Sequence, residues 1–77
     1  MNANEKSFES GKEFAAELNA TPREAQNWGK LGTNDDLPEG DYITLRDEFG
    51  EVTREMEQAY KKGFNSVFSP ISDEENE

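Results

Sequence analysis

From Leu45 onward, apolar residues fall at Leu45, Phe49, Val52, Met56, Ala59 or Tyr60, and Gly63 or Phe64, in steps of four, three, four, three or four, and four. That is the repeat of one helical face, and no other feature limits the chain's folding as strongly. It predicts a long amphipathic helix over about 44–66, with Thr44 and Asp47 as its cap and Lys61 and Lys62 near its C-terminal dipole. A glycine inside a helix costs roughly 1 kcal/mol relative to alanine, so Gly50 is the weak point of this helix. A kink there, or a short β-hairpin within 43–53, is the alternative. The hairpin would put Phe49 in an exposed turn, whereas the helix places it on the apolar stripe.

Upstream, Phe8, Phe14, Ala15 and Leu18 share a helical face, which predicts a helix over about 8–18 with Ser7 or Ser10 as N-cap. Residues 1–7 are polar and aperiodic and read as a flexible start. Asn19 is a residue that tolerates a left-handed helix end. Thr21-Pro22-Arg23-Glu24 has the form of a capping box with proline at the first helical position. A second helix therefore starts there, turns Ala25, Trp28 and Leu31 inward, and ends near Lys30, with Trp28 in the core. Residues 32–41 have loop chemistry, and 69–77 form an acidic tail expected to be disordered. The expected fold is mainly α: one small three-helix domain over 8–68, with a helix-turn-helix-like N-terminal half and a long C-terminal amphipathic helix. Tyr60, Phe64 and Phe68 exceed what one helix needs to dock on two short ones, and an exposed apolar patch is expected among them.

The core must be small. Leu, Ile, Val and Phe together make up 13 of 77 residues. Apolar content that low, in a highly charged chain, also admits a segment that folds only on binding. The chain has no Cys and no His. That removes disulfides, thiolate and imidazole metal ligands, and Cys- or His-based nucleophile and base pairs. Adjacent carboxylates such as Asp35-Asp36, Asp47-Glu48 and Glu74-Glu75 lie in loops, on a helix surface and in the tail, so they do not converge as a metal site or acid/base pair needs. No catalytic residue, metal or cofactor is expected, and the chain reads as non-enzymatic. It has no apolar run of membrane-spanning length and no secretory signal pattern, so a cytoplasmic location without membrane contact is expected.

The net charge is −10, and residues 35–77 carry thirteen carboxylates against Arg46, Arg54, Lys61 and Lys62. Such a field repels nucleic acid and attracts a basic protein surface. The candidate partner-binding residues are Asp35, Asp36, Glu39, Asp41, Asp47, Glu48, Glu51, Glu55 and Glu57. On one helix, Glu51 and Glu55 would present two charges about 6 Å apart, near the spacing of successive phosphates.

Two resemblances extend this reading. Residues 13–28, with apolar Phe14, small Ala15, apolar Leu18, Asn19 where glycine is usual, the helix start at Thr21, then Ala25 and Trp28, resemble the helix-turn-helix of phage repressors and excisionase-like proteins. That resemblance implies a DNA-binding regulator in which Arg23, Gln26, Asn27 and Lys30 face the major groove, the acidic half serving for dimerisation or for a partner. In size, charge and absence of chemistry, the chain also resembles small acidic phage or mobile-element accessory proteins that inhibit host nucleic-acid enzymes, DNA mimics among them. That likeness implies a protein partner with a basic surface, itself a nucleic-acid-binding protein.

Overall fold

The structure, a computed structural model, describes residues 2–25, 28 and 36–69. Among them it has four helices and no strand: α1 (Ala3–Asn19), α2 (Pro22–Ala25), α3 (Glu39–Phe49) and α4 (Arg54–Val67). The mainly α expectation holds, while the number and bounds of the helices differ from it.

Helix α1 starts five residues before the apolar periodicity does. Asn2 is the N-cap, its side chain accepting from the Glu5 N–H at 2.8 Å while the Glu5 carboxylate accepts in turn from the Asn2 N–H. This capping box orders the segment expected to be flexible. Ser7 is therefore not a cap. It lies inside α1, fully buried, its hydroxyl donating to the Ala3 carbonyl at 2.8 Å.

The inward face of α1 is Ser7, Gly11, Ala15 and Leu18, a ladder of small residues at a spacing of four that ends in a leucine. Phe8 and Phe14 sit on its flanks, half-buried. Small residues here let α4 approach to backbone contact. A methyl group on Gly11 would collide with the carbonyl oxygen of Tyr60 and lie 3.0 Å from the Phe64 nitrogen; one on Gly63 would collide with the carbonyl oxygen of Phe8. The two glycines are thus reciprocal, each facing the other helix's backbone. The helices run in the same direction, since Asn4 meets Glu55 at one end and Asn19 meets Val67 at the other.

Asn19 does not adopt the left-handed conformation. It is the last residue of α1, and the chain leaves through Ala20 in the right-handed region. Its side-chain amide instead donates to the Val67 carbonyl at 2.8 Å and accepts from the Ser69 N–H at 2.8 Å, so it serves the end of α4, whose last carbonyls lack intrahelical donors. Thr21 also differs from expectation: its hydroxyl donates back to the Glu17 carbonyl at 3.0 Å, while its own carbonyl accepts from the Glu24 N–H.

The expected long helix is two. Gly50, at φ 87°, closes α3 in the left-handed conformation, with its N–H bonded to the Arg46 carbonyl at 2.7 Å. Thr53 then caps α4, its hydroxyl accepting from the Met56 N–H at 3.1 Å. The chain can reverse because glycine enters the left-handed region without the strain of a side chain. Thr44 is thus not a cap but an α3 residue donating to the Gly40 carbonyl at 2.9 Å. Phe49 and Val52 remain near the core, partly buried on either side of the turn.

The core gathers Ala15, Leu18, Ala25, Leu37, Leu45, Met56, Tyr60, Phe64 and Phe68. The patch expected at Tyr60, Phe64 and Phe68 is therefore interior. Phe64 stacks on Phe68 at 5.0 Å between ring centroids, and half-buried Trp28 meets Phe14 edge-on at 5.2 Å.

The same substitution should have opposite signs at two glycines. At Gly40, in the first turn of α3, an added methyl meets nothing within 4 Å, so Gly40→Ala should raise the melting temperature through helix propensity, which is worth up to about 1 kcal/mol. Gly11→Ala and Gly63→Ala should each lower it by at least about 5 °C, the outcome of roughly 1–3 kcal/mol of overpacking. Thermal melts followed by circular dichroism check this; unchanged melting for both core variants would refute the close approach.

Candidate partner-binding surface

Helix α3 and the segments flanking it hold most of the described carboxylates. From Asp36 to Glu57 there are eight carboxylates, opposed only by Arg46 and Arg54. Asp36 and Glu39 are exposed at the start of α3, Asp47 and Glu48 are exposed in its last turn, and Glu51 is exposed in the connecting turn. Glu55 is exposed in the first turn of α4, where it accepts from the Asn4 amide at 3.4 Å. Glu57 is half-buried. Because Gly50 divides the helices, Glu51 and Glu55 do not share a helix face. Carboxylates at the first turns of α3 and α4 favour the positive ends of the helix dipoles, which is a local reason for Glu39, Asp41, Glu55 and Glu57 to stand there.

Neutralisation within the described residues is slight. The ion pairs are Lys12 with Glu9 at 3.5 Å and Arg46 with Asp47 at 4.0 Å, both between well-exposed groups. Exposed pairs of this kind contribute little. Among the described residues, Asp36, Glu39, Glu48, Glu51 and Glu57 form no ion pair.

Asp41 has a different task. Its half-buried carboxylate accepts the hydroxyl proton of fully buried Tyr60 and so ties α3 to α4. Burial, reinforced by this hydrogen bond and by the Asp41 charge, pushes the Tyr60 hydroxyl far above the usual tyrosine range.

Of the residues that the helix-turn-helix resemblance implies, Arg23 is exposed in the single turn of α2, while Gln26, Asn27 and Lys30 lie outside the described residues, as does Asp35. The described residues contain no group of three or more Asp or Glu arranged to hold a metal ion, and no helix long and apolar enough to cross a membrane.

Tyr42 and Ile43 escape the sequence reading; they are the exposed large apolar residues among the described ones, both on α3. The sequence does carry their signal, since 42, 43, 45 and 49 cover a wider arc of a helix than one contact can bury.

The Tyr60–Asp41 bond yields a pH prediction. A phenol whose folded pKa lies above its unfolded value of about 10 has its full stabilising effect below pH 10 and loses it as the pH rises further. Tyr60→Phe should cost about 1 kcal/mol at pH 7, because it leaves the Asp41 carboxylate without its donor. Between pH 9 and 11 the variant should lose less melting temperature than the wild type; equal slopes would show that the hydroxyl is not held in this way. No family model, no curated protein and no solved structure matches this chain.

Proposed function

We propose that this is a non-enzymatic acidic protein that binds a protein partner through that partner's basic surface, and that the partner handles nucleic acid. One observation carries the reading: a series of exposed carboxylates on α3, the following turn and the start of α4, almost unopposed by cations. Held on a folded scaffold, these charges lose less entropy on binding than charges on a flexible chain would. They can occupy a groove that otherwise receives phosphates, which is DNA mimicry in physical terms. An inhibitor or regulator encoded by a phage or mobile element is the biological role such a device suits. Association should be fast and weaken with salt.

The test compares the wild type with an Asp47→Lys, Glu51→Lys, Glu55→Lys variant as baits in a host lysate at two salt concentrations. The wild type should retain basic nucleic-acid-binding proteins, and duplex DNA should displace them. The variant should lose at least about tenfold in affinity, since three favourable long-range contacts become repulsive. A chain ending at Ile71 should keep its binding. Retention by the charge-reversed variant would overturn the proposal, and so would direct binding of labelled duplex DNA abolished by Arg23→Ala, which would assign the chain to DNA reading.

A further inference from the structure

The exposed large apolar side chains among the described residues, Tyr42 at 37% and Ile43 at 38% exposure, lie side by side in sequence on α3. Successive helical residues point about 100° apart. Leu45 is the buried residue of α3, with Phe49 partly buried beside the core, so Tyr42 and Ile43 broaden the apolar arc beyond what the rest of the protein covers. Beside Tyr42 lies a cleft of about 410 Å³ lined by Asp36, Leu37, Glu39, Tyr42 and Glu57. Three parts of the chain meet there: the segment before α3, the first turn of α3, and α4. None of the three carboxylates makes an ion pair or hydrogen bond with a described residue.

We propose that this face of α3 docks an arginine-bearing segment of a basic protein partner, with the arginine seated in the cleft against Tyr42 and a neighbouring apolar side chain covering Ile43. The inference rests on the acidic reading above and narrows it to an anchor. Charge complementarity selects the occupant. With a net charge of −10, a second copy would bring like charges together at the cleft, and nucleic acid would be repelled. A cation meets three carboxylates and an aromatic ring. The dipole at the start of α3 opposes a cation with only about half a charge, and Glu39 and Asp41 already stand over it. Arginine suits the cleft better than lysine: its planar, weakly hydrated guanidinium stacks on a ring and grips carboxylates in pairs, whereas an ammonium does neither as well. The chain's own Arg46, one turn beyond Tyr42, is 4.0 Å from Asp47 and limits the cationic subsite to the N-terminal end of α3.

The test is a titration of the isotopically labelled full chain, followed by NMR, with a capped peptide containing an arginine-leucine pair and with its lysine-leucine counterpart. Shift changes should concentrate at residues 36–43 and Glu57, and the arginine peptide should bind roughly threefold tighter, the increment of one exposed cation–π contact. Tyr42→Leu should remove that preference, and a Glu39→Gln, Glu57→Gln variant should weaken both peptides; melting curves of the variants separate these effects from unfolding. Equal affinity for the two peptides, shift changes spread over all the carboxylates, or a Tyr42→Leu variant that keeps the preference would each overturn the proposal. So would concentration-dependent shifts without peptide, which would assign the face to self-association. Absence of peptide binding, with partner capture still lost in the Asp47, Glu51, Glu55 variant, would remove the cleft and leave the acidic reading. Cleft binding with capture unchanged in that variant would support the cleft and remove the wider surface.

Discussion

Backbone contact between α1 and α4 at Gly11 and Gly63 is the constraint from which the rest of the protein follows. With so few aliphatic side chains, the chain cannot fill the space between two helices at ordinary separation. Removing the side chains where the helices meet closes that space instead. Ser7 and Ala15 extend the narrow face on either side of Gly11, and the large residues that α4 contributes, Met56, Tyr60 and Phe64, are freed to pack sideways. Phe64 then becomes the centre of an aromatic group with Phe14, Trp28 and Phe68. Such contacts favour edge-on and offset geometries and give a small core specificity beyond its area.

Because α1 and α4 run in the same direction, their C-terminal ends lie together, where the last carbonyls of a helix need donors from outside it. Asn19 resolves this at one point, donating to the Val67 carbonyl and accepting from the Ser69 N–H. The chain must also travel back between the two helices, and α3 lies on that return path. It is held by Leu45, by partly buried Phe49 and by the Tyr60–Asp41 hydrogen bond. Tyrosine suits this position because its ring fills the core while its hydroxyl needs a partner, and Asp41 supplies one.

The sequence displays α4 clearly, since Met56, Tyr60 and Phe64 recur at a spacing of four and are all buried. It shows α1 only in part: the helix over about 8–18 and Ala15 and Leu18 on its inward face are legible, while Ser7 and Gly11 are not. A hydrophobic pattern search finds Phe8 and Phe14 instead, which are larger but lie on the flanks, because the periodicity it measures assumes that burial goes with size. The division at Gly50 was legible as a weakness, and a reversal there only as a hairpin of strands and not as a turn between two helices: the apolar stripe through 49 and 52 continues in register across a break, since both residues still rest near the core. Asn2 and Glu5 carry a capping pattern that the polar composition around them obscures. The acidic surface was legible as charge, but which carboxylates have structural work depends on neighbours distant in sequence. Asp41 is separated from Tyr60 by nineteen residues and Glu55 from Asn4 by fifty-one.

This division of labour among carboxylates ties fold to recognition. A dense negative surface destabilises the compact state through self-repulsion, and a core this small leaves little margin for it. Asp41 offsets part of that cost by serving as a hydrogen-bond acceptor, and the carboxylates in the first turns of α3 and α4 do so by facing helix dipoles. Asp36, Glu48 and Glu51 have no such compensation, being exposed, outside the first turns, and without an ion pair to any described residue. A cationic partner would relieve the repulsion that these residues create and stabilise the folded chain by mass action as it binds. The least compensated charges therefore have the most to gain from association, and they flank the exposed side chains of Tyr42 and Ile43 on α3, whose buried residue is Leu45.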